Sequence, residues 1–174
     1  APLVTTHMGI LPKSPAAPGY HRLLGAVREV ARYCQRAGIQ IALETGQETG
    51  TELLEFITRV GEEVKVNFDG ANLILYGLDD PLRALRALRD LIVHVHAKDI
   101  SMQHSETERG KTTGTPVGCA CGDGVIDWAR VVAILREGGF NGVLAVECGT
   151  SEQAQRSLAH LEAVIGEEEG AAHA

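Results

Sequence analysis

No apolar run in this sequence approaches the ~20 residues that a membrane-spanning helix needs, so no membrane partner is expected. The opening, APLVTTHMGI, has neither the basic region nor the long apolar stretch of a secretion signal, and it carries no initiator Met. Aromatic residues are scarce at 4%, but the apolar fraction of 44% excludes a disordered chain and leaves Ala, Val and Leu to build the core. Positive charge is also thin, with 16 Lys and Arg against 23 Asp and Glu, a net charge of −7. A phosphate-tracking surface is basic and clustered, so nucleic acid is not an expected partner. The four cysteines, Cys34, Cys119, Cys121 and Cys148, form no CxxC pair and no disulfide framework, which points to a reducing, cytoplasmic setting. Cys119-Ala-Cys121 is spaced too tightly for a structural zinc knuckle and reads as a pair of loop cysteines.

Short apolar runs alternate with longer amphipathic ones. Strands are expected at Val4–Gly9, Ile39–Glu44, Val64–Asp69, Leu91–Lys98 and Gly142–Glu147. Helices are expected at Tyr20–Ala37, Thr51–Val60, Asp80–Arg89, Asp127–Glu137 and Ser151–Ile165, with Gly38 and Gly61 as stops and Pro81 at a first turn. A long polar loop is expected from Ile100 to Gly124, and the tail over residues 166–174 reads as polar and disordered. A β-α unit repeated in this way predicts a parallel sheet covered by helices. The open nucleotide-binding version of that fold places a glycine-rich turn after its first strand. Here that turn is HMGILPKSPAAPG, which has no phosphate-cradling pattern, so a barrel over residues 1–165 is the expected architecture.

The strands end alike: IALE at Glu44, VNFD at Asp69, VHVH at His96 and LAVE at Glu147. In a parallel barrel all C-terminal strand ends share one face, where active sites are built. Residues two apart share a side of a strand. Ala42, Asn67, His94 and Ala145 therefore point with the four terminal residues into the barrel, while Ile41, Leu43, Val66, Phe68, Val93, Val95, Leu144 and Val146 face the helices. Three carboxylates packed together resist joint ionisation, and one divalent cation relieves that cost. An oxygen-rich set with one imidazole suits Mn2+, Mg2+ or Co2+, with Zn2+ also compatible. His96, nearer the strand end, is the expected ligand, and His94 fills a deeper layer.

At these residues the sequence resembles the xylose isomerase-like family of sugar phosphate isomerases and epimerases. The resemblance is carried by IALETG, VKVNFDGANLILYG, DLIVHVHAKD, GDGVIDW and FNGVLAVE, in family order between Ala31 and Ile165. It implies a TIM (β/α)8 barrel with a metal centre at Glu44, Asp69, His96 and Glu147. It also implies that Glu44 and Glu147 move protons on a small ketose or hydroxy-keto acid. Lys98 and His7 become candidates for substrate contact, Lys98 with a simple pairing to Asp99 as its alternative. Asn72, a third candidate for substrate contact, stands where several relatives carry His, which argues against a second metal and against an apurinic endonuclease. An inosose-type dehydratase on the same scaffold and a non-catalytic metal-binding or assembly fragment are the competing readings.

Family barrels have eight strands and about 250 residues, whereas five β/α units are legible here. The chain therefore reads as a partial barrel lacking the first three units, possessing two open strand edges and inactive on its own if nothing closes them. A homo-oligomer is the expected remedy.

Overall fold

The apolar runs pair in the order in which they occur. In the computed structural model, which describes residues 2–101 and 118–171, the strands are β1 (Leu3–Thr6), β2 (Gln40–Glu44), β3 (Lys65–Asp69), β4 (Ile92–Ala97) and β5 (Val143–Val146). They form one parallel sheet ordered β1-β2-β3-β4-β5. A doubly wound sheet reverses its order at a switch point; this one does not reverse. The helices are α1 (Tyr20–Arg36), α2 (Gly50–Val60), α3 (Gly70–Leu75), α4 (Pro81–Leu88), α5 (Trp128–Glu137) and α6 (Ser151–Ala171). Neighbours pack in chain order, α1 on α2, α2 on α4, α4 on α5 and α5 on α6, so the helices cover one face. The result is part of a parallel α/β barrel, an arc of five β/α units.

Alternation along the strands sorts the two faces. Ile41, Leu43, Val66, Phe68 and Val95 are buried in the main apolar cluster together with Leu53 and Phe56 of α2 and Leu85 and Leu88 of α4. Burial of each such side chain is worth about 1.5–3 kcal/mol. Ala42, Asn67 and His94 alternate with them and lie on the concave side. Val143, at the start of the last strand, is exposed, as is Val4 on the first, in keeping with the open edges.

Several element ends differ from the sequence pattern. Strand β1 stops at Thr6, and Gly9 adopts a left-handed φ of 82°, so His7 lies beyond the strand. Helix α3 was not foreseen. Its cap explains it: the carboxylate of Asp69 accepts the backbone N–H of Asn72 at 3.0 Å, so the last residue of β3 starts a helix at once. The last helix continues to Ala171, past Ile165. Most of the expected Ile100–Gly124 loop lies outside the described residues.

The described end of that loop is organised by Asp99, which is fully buried. Its carboxylate accepts hydrogen bonds from the backbone N–H of Ile100 at 2.9 Å, of Gly122 at 3.1 Å and of Ile126 at 3.2 Å, and from the indole Nε1 of Trp128 at 3.1 Å. The GDGVIDW segment thus wraps one carboxylate. A Cβ at position 124 would collide with Asp99 Oδ1, which accounts for Gly124. Asp99→Ala leaves the donors of Ile100, Ile126 and Trp128 buried and unpaired. It is expected to cost about 3–5 kcal/mol, read as a lower urea midpoint followed by the fluorescence of Trp128, the single tryptophan. An unchanged midpoint would mean that the loop does not depend on Asp99.

Candidate metal centre

Each end of β2, β3 and β4, and the residue just past β5, contributes one side chain to a common point. Glu44, Asp69, His96 and Glu147 offer ligand atoms that all lie within 4.8 Å of one another. Register explains the convergence: Asp69 is the ladder partner of His96, and Glu44 that of Asn67. Glu147 prolongs the β4–β5 ladder by donating its N–H to the carbonyl of Ala97 at 3.0 Å. Thr45 clamps β2 to β3 from the other side, its hydroxyl donating to the Asp69 carbonyl at 2.8 Å and accepting the Asp69 N–H at 2.7 Å.

Every carboxylate of the cluster has one oxygen held by a protein donor. Asp69 Oδ1 takes the Asn72 N–H, Glu44 Oε2 takes the Asn67 amide at 3.2 Å, and Glu147 Oε1 takes Lys98 Nζ at 2.9 Å. The other oxygens of the two glutamates turn toward His96 Nδ1, Glu44 Oε1 at 3.3 Å and Glu147 Oε2 at 3.0 Å. Asp69 Oδ2 is buried with no hydrogen-bond partner, 3.4 Å from the ammonium of Lys98. An orphaned carboxylate oxygen beside two more carboxylates and an imidazole fits a small, hard divalent cation, which these four residues would hold.

The electrostatics are strongly coupled. Hydrogen bonds to Glu147 and Glu44 raise His96 to about 10. Its partner Glu147 is held down to about 2, chiefly by His96. Burial opposes ionisation of Glu44, but the hydrogen bonds from His7 and His96 prevail and bring it to about 2. Asp69 has no such direct donor to its free oxygen, and burial pushes it up to about 6. His94 is held below the ordinary histidine value by burial and by the neighbouring His96.

The candidates for substrate contact also reach this point. His7 Nε2 lies 3.2 Å from Glu44 Oε1, although its side chain is 59% exposed. Asn72 donates to Glu44 Oε1 at 3.3 Å and to the Thr45 carbonyl at 3.2 Å. Lys98 does not pair with Asp99; it is buried between Asp69 and Glu147 and points at Asn72 Oδ1, 3.4 Å away, because Asp99 turns to the opposite side. His94 stays one layer below the cluster, paired with Asn67 rather than with the carboxylates.

Two polar roles went beyond the sequence reading. Asn67 was expected on the interior face from its two-residue spacing to Asp69, but the link that its amide makes across three strands was not. Glu48 is 2% exposed in the turn after β2, accepts only the Gly46 N–H at 3.0 Å among the bonds described, and is raised by burial to about 7. Nothing in its loop sequence marks it as buried.

A family model described as the xylose isomerase-like TIM barrel matches residues 1–164. An inosose dehydratase of Lacticaseibacillus casei is 30% identical over 142 residues, which is 75% of this chain and 45% of that protein. A xylose isomerase domain protein from Planctomyces limnophilus superposes with a TM-score of 0.81 at 32% identity, covering 99% of this chain and 60% of that one. An L-ribulose 3-epimerase superposes with a TM-score of 0.75 at 18% identity, covering 99% of this chain and 64% of that one, a likeness of fold. The chain spans about half the length of the curated relatives it matches. With its sheet order and nearly its whole length accounted for by one family model, this chain belongs to the xylose isomerase-like TIM-barrel family.

Proposed function

We propose that this chain carries the metal-binding part of a sugar, or sugar phosphate, isomerase or epimerase that acts on a small ketose or hydroxy-keto acid. The observation that supports this reading is the pairing of two ionised glutamates, from β2 and from beyond β5, which approach one imidazole nitrogen from two sides. A proton can then be removed at one glutamate and returned at the other. A bound divalent ion would supply Lewis-acid polarisation of the substrate carbonyl, which acidifies the neighbouring C–H. Glu147 takes that proton as general base and Glu44 returns one, so the reaction passes through an enediolate. Lys98, fixed by Glu147 and Asp69, holds a substrate oxygen and offsets the negative charge that develops there. His7 and Asn72 lie on the Glu44 side and would orient the rest of the sugar.

A dehydratase is the second reading, favoured by the inosose dehydratases among the relatives. Both reactions begin with the same proton abstraction, but only dehydration releases water and leaves a conjugated product that absorbs in the ultraviolet. Incubating ketoses and inososes with the chain in a closed barrel, and following absorbance beside C–H exchange, separates the two.

Glu147→Gln keeps size and one oxygen but removes the base. Exchange of a substrate C–H with deuterated water, run at saturating metal, should fall by ~10²–10⁴-fold. Asp69→Asn removes a ligand without a proton role, so excess metal should restore part of its lost activity. Exchange at the parental rate in Glu147→Gln would leave that residue a ligand only and refute the two-glutamate mechanism.

Metal affinity should depend on pH in a defined direction. His96, raised to about 10, carries a proton across the neutral range and must lose it to become a ligand. Mn2+ affinity should therefore rise about tenfold per pH unit from 6 to 9, and more steeply below 6, where Asp69 also holds a proton. Titration calorimetry over that range checks this, and a flat profile from pH 6 to 8 would count against His96 as the nitrogen ligand.

The free edges β1 and β5 need closure if the concave face is to exclude water. We carry self-association as the proposal for this chain alone, with more than ~1,000 Å2 buried in the contact. Light scattering that gives a folded monomer at low concentration would rule it out.

A further inference from the structure

Asn67 is fully buried at the centre of the concave face, with Glu44 beside it on β2 and His94 beside it on β4. A primary amide has one acceptor and two donors, so its two ends are not equivalent. Its oxygen lies 2.8 Å from His94 Nδ1, while its nitrogen lies 3.2 Å from Glu44 Oε2 and 3.3 and 3.4 Å from the two ring nitrogens of His96. Turned over, the amide would set its carbonyl against the Glu44 carboxylate, which can only accept, and that contact would be repulsive. The arrangement is self-consistent in one sense only: His94 donates from Nδ1, Asn67 accepts at Oδ1, and Asn67 donates from Nδ2 to Glu44.

We propose that His94 and Asn67 act together as positioning residues, a relay that fixes the rotation of the Glu44 carboxylate from below. Holding Oε2 turns Oε1 of Glu44 into the cluster, where it faces His7, Asn72 and His96. Neither relay residue belongs to the four-ligand group, so each acts through a ligand. Without the His94 donor the amide loses its reason to keep one orientation. The rotation of Glu44 then relaxes. This inference rests on the reading of the cluster as a metal centre, but not on the identity of the reaction.

Partners behind a ligand typically contribute 10–100-fold to metal affinity. His94→Phe keeps the ring and removes the donor; its Mn2+ dissociation constant in the full chain should rise at least ~10-fold. His94→Asn places an amide N–H at the level of Nδ1 and should recover affinity to within a few-fold of the parent, which a general packing role for the imidazole would not produce. In the metal-free parent, 15N chemical shifts of the histidines should report the Nδ1–H tautomer at His94, and this measurement stands even if the Phe variant does not fold. An Nε2–H tautomer, parental affinity in His94→Phe, or an Asn variant as weak as the Phe variant would each overturn the relay. A parent that binds no Mn2+ defeats the metal reading and the relay with it. A parent that binds Mn2+ but exchanges no substrate C–H defeats the proposed reaction and leaves the relay standing.

Discussion

The structure depends on keeping three carboxylates ionised, or nearly so, in one half-buried place. Parallel strands in sequential order bring their C-terminal ends together, and in this chain those ends are Glu44, Asp69 and the residue after β5, Glu147. Like charges at that range would drive one another to protonate. The protein answers with two cations, His96 between the glutamates and Lys98 between Asp69 and Glu147. The compensation is unequal: the glutamates are pulled down to about 2 while Asp69 is left at about 6. Much of the surrounding architecture serves this arrangement, including the Thr45 clamp and the Asn67 amide.

Scaffold and site are interleaved at single residues. Asp69 ends β3, caps α3 and enters the cluster, so the geometry of one helix start is tied to one candidate ligand. Asp99 follows Lys98 directly and faces the other way, gathering the loop before α5 with its carboxylate while Lys98 reaches into the cluster. Successive side chains on an extended segment alternate sides, so a His-Ala-Lys-Asp run can serve a site on one face and a fold on the other.

Much of this was legible in the sequence. The repeated β-α pattern gave the parallel sheet, and period-two alternation in IALE, VNFD, VHVH and LAVE gave the identity of the convergent side chains, because position on a strand dictates which face a residue takes. The sequential winding and the five units were also legible, from the spacing of apolar runs and the lack of a phosphate turn. What was not legible depended on contacts distant in sequence. Helix α3 arises from a cap that looks like an ordinary strand end, and the burial of Glu48 follows from packing over a turn. The partner of Lys98 could not be chosen locally: Asp99 adjoins it in sequence, but its carboxylate is already filled by Gly122, Ile126 and Trp128.

The anchoring of one oxygen on each carboxylate has a consequence for ion selection. Asp69 Oδ1, Glu44 Oε2 and Glu147 Oε1 are held by donors behind the cluster, so each carboxylate turns one oxygen into it, that of Glu44 shared with Asn72 and His7, and His96 adds one nitrogen. Chelation by both oxygens of a carboxylate, the usual route to the seven- or eight-fold shells of calcium, is thereby discouraged. Four single-atom donors would instead suit a smaller ion, and a six-coordinate one held by them would have two places for atoms that the protein does not provide. The ketose proposed as substrate, with adjacent carbonyl and hydroxyl oxygens, has two to offer.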